Sequence, residues 1–213
     1  MPLGDSVTAG GGTAVNGGPP PGSYRAPLYT SLTSAGYNVQ YVGDQTINPG
    51  GGLPSNEDEH EGIGGITIEA LQSYLQQNNI LTTYKPDLIL LIIGNNDMFT
   101  ADNPQDPQAT YALLATFCQY IVATLPKAKI IVSTVQPHDE PGTGGQQEAD
   151  QYNQLILSGI GSVSANISAV DINAAMTYDA DIGPDGTHPN VAGDQAMANV
   201  FLAGIEKLYG SAR

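Results

Sequence analysis

The chain has 213 residues, 40% of them hydrophobic, and a formal net charge of −15. A chain this long buries roughly 70% of the surface it exposes when unfolded, enough for a core without disulfide or metal staples. Asp plus Glu number 21 against 6 Lys plus Arg, which makes phosphate backbones and anionic membranes poor partners.

The 26 Gly and 15 Pro follow no Gly-X-Y period, which excludes collagen. The longest apolar run, residues 88–93, falls far short of the roughly 20 residues that span a bilayer. Residues 1–3 read as a strand running into Gly4-Asp5-Ser6. Because the chain opens inside that strand, there is room for a leader ahead of it. A Gly/Pro-rich loop is expected over 10–22. A helix follows over 24–35, with Leu28, Leu32 and Ala35 on one face and Gly36 as its stop. Residues 38–42 alternate as a strand does, and 43–64 read as a long acidic, Gly-rich loop. A helix over 67–77 carries Thr67 at its N-cap.

The run 88–93 is continuously aliphatic, as in a central parallel strand covered on both faces. A long helix over 107–125 leads to a strand at 129–134. A helix at 145–158, a last strand at 167–170 and a last helix at 191–209 complete the pattern. Five strands alternating with helices predict an α/β fold, a three-layer α/β/α sandwich around a five-stranded parallel sheet, joined by right-handed crossovers. No linker or repeat interrupts it, so residues 1–213 are expected to form a single domain.

Open parallel sheets bind ligands at the carboxyl ends of their strands. Gly4-Asp5-Ser6 follows the first strand and Gly94-Asn95-Asn96-Asp97 the central one, while Asp185-Gly186-Thr187-His188-Pro189 precedes the last helix. A serine hydroxyl needs a base beside it to act as a nucleophile. Of the 3 histidines, His188 suits that task best, because a turn at Asp185-Gly186 can fold the carboxylate back onto its ring. The oxyanion formed by attack needs preorganised donors. The Ser6 N–H, the Asn96 amide and a backbone N–H in the turn Gly62-Ile63-Gly64-Gly65 are candidates. Gly4-Asp5-Ser6-Val7-Thr8 does not fit the Gly-x-Ser-x-Gly elbow of α/β-hydrolases.

Taken together and in order, Gly4-Asp5-Ser6, a glycine of the second block, Gly94-x-Asn96-Asp97 and Asp185-x-x-His188 resemble the SGNH (GDSL) hydrolase superfamily over nearly the whole chain. Met1-Pro2-Leu3-Gly4-Asp5-Ser6, Gly22-Ser23-Tyr24-Arg25, Tyr41-Val42-Gly43 and Glu59-His60-Glu61-Gly62 narrow the resemblance to carbohydrate esterase family 3. Members of that family are secreted acetyl xylan esterases. The resemblance implies a flavodoxin-like SGNH fold with Ser6 as nucleophile, His188 as general base and Asp185 as the residue that orients it. It implies an oxyanion hole of Ser6 N–H, Gly65 N–H and the Asn96 amide. Gly65 is preferred over Gly64 because it precedes the x-Thr-Ile stretch at Ile66-Thr67-Ile68. The sequence departs from the family at Asn95, where a second glycine is more common.

Several other residues have plainer readings. Asp5 and Asp97 are expected to hold loops, His60 to be a hydrogen-bonded loop residue and Arg25 a structural ion-pair partner. His138, beside Asp139 and Glu140, reads as rim or surface; Tyr24 and Tyr29 read as packing. Cys118 sits on an apolar helix face and reads as inert core. A calcium ion on the oxygens of 57–61 is the less favoured reading, and no metal or other cofactor is expected to be required. The expected activity is removal of acetyl groups from a plant cell-wall polysaccharide by a secreted monomer that binds neither nucleic acid nor membrane. The alternatives are an esterase or lipase for other short-chain or lipid esters, and a non-catalytic carbohydrate-binding or calcium-dependent adhesion module.

Overall fold

The computed structural model describes residues 1–11, 22–100, 104–138 and 145–211. Five parallel strands, β1 (Pro2–Gly4), β2 (Glu61–Gly62), β3 (Leu88–Ile92), β4 (Lys129–Ser133) and β5 (Ile167–Val170), form one sheet in the order β2-β1-β3-β4-β5. Along the central strands the side chains alternate between two cores, as the period of two in a strand dictates. Ile89, Leu91, Ile130 and Val132 enter one apolar cluster, and Leu90, Ile92 and Ile131 the other.

The first cluster is closed by α3 (Ile68–Gln77), α4 (Ile80–Tyr84), α6 (Pro107–Thr124) and α7 (Gly145–Gly159), through Leu71, Leu75, Leu81, Phe117 and Ile156. The second is closed by α2 (Arg25–Ser34) and α9 (Val191–Tyr209), through Leu28, Leu32, Phe201 and Ile205. Three layers result, with the sheet in the middle. Short helices α1 (Ser6–Ala9), α5 (Asn95–Phe99) and α8 (Tyr178–Asp181) lie in the connections. Too short for a sequence period to announce them, they carry much of the polar chemistry. No helix among the described residues is long and apolar enough to cross a membrane.

The second strand differs from the sequence reading. Residues 38–42 join no strand of the sheet, and the edge beside β1 belongs to Glu61–Gly62, within the stretch read as a loop. The alternation at 38–42 serves another purpose. Tyr41 packs with Ala26 and Leu53 in a small third cluster, its N–H donates to Glu57 Oε2 at 3.2 Å and its hydroxyl to the Arg25 carbonyl at 2.9 Å. Gly62 suits the sheet edge because it lies against α1: a Cβ there would be 2.4 Å from the Ala9 nitrogen.

Thr67 occupies the N-cap of α3, but its side chain accepts no bond from the helix. The Ile68 N–H instead meets both carboxylate oxygens of Asp97, each at 3.2 Å, which ties α3 to the end of β3. Most of the 10–22 loop, and Asp139 and Glu140 beside His138, lie outside the described residues.

Candidate active site

Ser6 opens α1 directly after β1. Asp5 caps that helix, its Oδ1 accepting the Val7 N–H at 2.9 Å. The first N–H groups of a helix have no partner within it, so the cap aims an electropositive turn at the space beside Ser6. Asp5 is buried beneath this turn, and its Oδ2 has no hydrogen-bond partner among the described residues. Burial pushes its carboxyl up to about 6, against the smaller opposing pull of the Val7 bond.

At the other end of the chain, a turn before α9 carries His188. Gly186, at φ +74°, reverses the backbone in the left-handed region that glycine reaches most easily. Asp185 Oδ1 then accepts the N–H groups of Thr187 (3.1 Å) and His188 (3.0 Å), while Oδ2 lies 2.9 Å from His188 Nδ1. The turn is fixed at its base, since the Gly183 N–H donates to the His188 carbonyl at 2.7 Å and Asn190 caps α9 through the N–H groups of Ala192 and Gly193. His188 Nε2 is 2.8 Å from Ser6 Oγ across a sequence separation of 182. A carboxylate accepts at Nδ1, so that nitrogen carries the proton and Nε2 is free to accept from the serine hydroxyl. The three side chains thus form one continuous line from hydroxyl to carboxylate.

Besides the N–H of Ser6 itself, the expected oxyanion donors follow β2 and β3, the two strands that flank β1. Ile66 N–H closes a turn on the Ile63 carbonyl at 3.4 Å with Gly65 third in it at φ +73°, as a type II turn requires. That closure uses the N–H of Ile66 and not that of Gly65. Asn96, in the first turn of α5, donates from Nδ2 to the Ile66 carbonyl at 2.9 Å and accepts from Thr100 Oγ1 at 2.8 Å. One amide hydrogen therefore braces the Gly65 turn against β3, and the other is left for a further acceptor. Asp97 completes the brace through Ile68.

Two residues at the site escaped the sequence reading. Gln136 follows β4 and is fully buried; its Nε2 donates to the Thr187 carbonyl at 2.9 Å, gripping the turn that presents His188. A lone amide just past an aliphatic strand was a legible signal by the same strand-end rule that found Asn96. Gly11 donates its N–H to the Ser6 carbonyl at 2.6 Å, and a Cβ on it would lie 2.9 Å from the Ser6 Cβ and 3.0 Å from His188 Nε2. Within Gly10-Gly11-Gly12 nothing marks it out.

The other histidines are held differently. His60 is buried, accepting the Gly62 N–H at Nδ1 (2.9 Å) with Nε2 3.1 Å from the Ile47 carbonyl, and burial lowers its pKa to about 3. His138 is buried rather than at the rim, because its ring bonds Asn95 Oδ1 and packs on Phe99 with centroids 4.4 Å apart.

Arg25 is structural but not through an ion pair. Its guanidinium donates to the carbonyls of Thr8, Asp58, Ala9 and Ile47, gathering α1 and two loops. The carboxylates of the acidic loop diverge onto backbone: Glu57 takes the Tyr41 N–H and Glu61 the Asp44 N–H at 2.6 Å. Among the described residues, no group of His, Cys, Asp and Glu gathers as a metal site would. Cys118 is wholly buried, and burial pushes its thiol up to about 12, so it holds no thiolate at neutral pH.

The model of the GDSL-like lipase/acylhydrolase family matches residues 3–196. A multidomain esterase of Ruminococcus flavefaciens is 33% identical over 97% of this chain, which spans 28% of that protein's length. An acetylxylan esterase of Geobacillus stearothermophilus is 27% identical over 95% of this chain and 91% of its own. Among solved structures, a family 3 carbohydrate esterase of Clostridium thermocellum superposes with a TM-score of 0.78 and 32% identity, covering 98% of this chain and 95% of the other. The chain belongs to the GDSL-like lipase/acylhydrolase family and, within it, is a carboxylic ester hydrolase of the carbohydrate esterase family 3 type.

Proposed function

We propose that the chain is a serine esterase that removes acetyl groups from an acetylated plant polysaccharide, most directly xylan, by a Ser6–His188–Asp185 mechanism. The observation that carries the reading is the unbroken line of Ser6 Oγ, His188 and Asp185 at 2.8 and 2.9 Å. Ser6 Oγ attacks the acetyl carbonyl while its proton passes to His188 Nε2. Asp185 holds the ring and stabilises the imidazolium. The negative oxygen rests on the N–H of Ser6, the N–H of Gly65 and the Asn96 amide. The carbon–oxygen bond to the sugar then breaks, and the departing sugar oxygen takes the proton from Nε2, leaving acetyl-Ser6. Water attacks that ester and gives a proton to Nε2. Collapse returns it to Ser6 Oγ and frees acetate.

The polysaccharide reading is supported by the acetylxylan esterase of Geobacillus stearothermophilus that the chain resembles. A polymeric substrate goes with an extracellular setting, and the complete Ser6 line within one chain suits a monomer. Acetate release from acetylated xylan by wild type and Ser6→Ala tests the proposal, with a fall in kcat of about 10⁴-fold expected. A variant that keeps a substantial fraction of the rate overturns the mechanism. Wild-type protein that hydrolyses long-chain lipid esters better than acetylated xylan overturns the substrate.

A further inference from the structure

A groove at the amino ends of the strands takes no part in the proposed mechanism. It crosses the starts of β1, β3 and β4, the end of the sheet away from Ser6, and encloses about 790 Å³. That lies within the roughly 300–1,000 Å³ of small-ligand sites. Its charge runs against that of the chain. The sequence has 6 Lys plus Arg against 21 Asp plus Glu, yet Lys85, Lys127 and Lys129 all line this groove, with Asp87 the one carboxylate among its lining residues. Where acids outnumber bases so heavily, a lysine readily finds a carboxylate. Among the described residues, no ion pair engages any of these three.

The lysines are placed in different ways. Lys129 Nζ donates to Asn166 Oδ1 at 2.7 Å, while Lys85 and Lys127 are exposed. Lys85 ends α4 in left-handed backbone at φ +45°, where glycine or asparagine fits with less strain. Lysine stands there nonetheless and brings a cation to the groove. Aromatic rings flank the cations, since Tyr37, Tyr84 and Tyr209 line the same groove. Tyr209, at the end of α9, is 52% exposed, and the Tyr37 hydroxyl donates to the Gly210 carbonyl just beyond it, which fixes that corner. Together these groups select a chemistry. A tyrosine ring covers the C–H face of a sugar while its hydroxyl bonds at the edge, and lysine meets a carboxylate as a point charge. The rest of the surface limits the charge density of the ligand. A chain of −15 repels a polymer charged on every unit. Within a Debye length of about 8 to 10 Å, lysines without carboxylate partners still attract an isolated anion. A sugar polymer with scattered carboxylates meets both conditions.

We infer that this groove binds an acidic polysaccharide, a neutral sugar backbone with scattered uronic acid residues, on the end of the sheet opposite Ser6. The inference rests on the polysaccharide reading above and adds a second binding site to it. A polymer held there raises the local concentration of its acetylated stretches around the enzyme without touching the chemistry.

The probe is glucuronoxylan freed of acetyl groups, with the same polymer stripped of its uronic acids as the neutral control, and affinity electrophoresis reads the binding. Wild type is expected to bind the acidic polymer more tightly than the neutral one, with an affinity that falls as salt rises. Lys85→Asn combined with Lys127→Gln is expected to weaken binding of the acidic polymer about fivefold, while Lys207→Gln, which removes a lysine outside the groove, changes it less than about twofold. Hydrolysis of an acetyl nitrophenyl ester should be the same in all of them. Tyr209→Ala, at an exposed position, is a second variant should the double one not fold, and it should weaken binding of both polymers. Equal binding of the two polymers by wild type overturns the inference. A double variant that binds as wild type does, or a loss in Lys207→Gln as large as in the double variant, overturns it too. Tighter binding to polyglutamate or to anionic lipid vesicles than to glucuronoxylan overturns the saccharide as occupant. Activity that survives Ser6→Ala, or a preference for long-chain lipid esters, is a separate result read from hydrolysis, and it removes the proposed function instead.

Discussion

Two histidines of this chain sit in acidic, glycine-rich surroundings, yet their regions do opposite things. His60 is sealed in the interior, and both ring nitrogens are committed to backbone at Gly62 and Ile47. Around it Arg25 gathers carbonyls from α1 and two loops, and Glu57 and Glu61 accept backbone N–H groups. His188 is only partly covered, and both of its ring nitrogens face side chains, a hydroxyl on one side and a carboxylate on the other. A histidine whose partners are backbone can only hold the chain in place. One placed between a hydroxyl and a carboxylate can move a proton. The partners, rather than the residue type or the nearby charge, separate structure from chemistry.

The strongest way to break the contrast is to disturb the carboxylate side of His188. Asp185→Asn is expected to lower kcat about 10³-fold with KM little changed. The asparagine can present its amide to Nδ1, forcing the tautomer that cannot accept from Ser6. Steady-state kinetics on an acetyl ester checks this, and a loss below about tenfold would mean that the carboxylate does not set the tautomer. The matching disturbance of the His60 region should act on stability. Arg25→Met removes the donors from the carbonyls of Thr8, Ala9, Ile47 and Asp58, at a cost of about 4 kcal/mol, because buried acceptors left without partners cost more than their bonds contributed. Urea unfolding measures the cost, and activity per folded molecule should change far less than in Asp185→Asn.

Gly11→Ala sharpens the contrast at close range. Its methyl would press on Ser6 Cβ and His188 Nε2 at 2.9 and 3.0 Å. We expect kcat to fall about tenfold or more, since small misplacements at the reacting atoms are costly, while the melting temperature changes little. The smallest effect is one of pH. Burial raises the Glu61 carboxyl to about 8, so the folded chain keeps a proton that the unfolded chain releases above its ordinary value of 4.5. Its contribution is fully present below 4.5 and is lost as pH rises through 8. His60 and His138, lowered to about 3 and about 4, act in the opposite sense only below the ordinary histidine value of 6.5. The buried amino group of Met1, lowered from 8.0 to about 5, acts in the opposite sense over the same range, so the Glu61 contribution is read as a difference: between about pH 6.5 and 8 the melting temperature of Glu61→Gln should gain on that of wild type as pH rises. A difference that stays constant over this range contradicts the assignment.

Much of this was legible before any coordinates. Ser6, Asn96, Asp185 and His188 all stand where parallel strands end or a closing helix begins, and that rule needs only the order of the elements. The aliphatic run at 88–93 announced a central strand because both its faces are buried, and a further strand was expected at 129–134. The edge strand was not legible. Two residues, Glu61–Gly62, make β2, while 38–42 carry a stronger alternation that serves a side cluster around Tyr41. Neither were the grips on the site. Gln136 acts on Thr187 across 51 positions, and Gly11 matters for the side chain it lacks. His138 looked like a surface residue because it stands beside acidic neighbours; its burial comes from Asn95 and Phe99, 43 and 39 positions away, which no local pattern reports.

The most direct test of the central claim is to trap the acyl-enzyme. Protein mixed with an acetyl nitrophenyl ester, quenched in acid during turnover and digested, should carry one acetyl group on the peptide that contains Ser6, and Asp185→Asn should accumulate it more slowly. An active enzyme whose acetyl group is found on another residue, or whose Ser6→Ala variant turns over at the wild-type rate, would contradict the account.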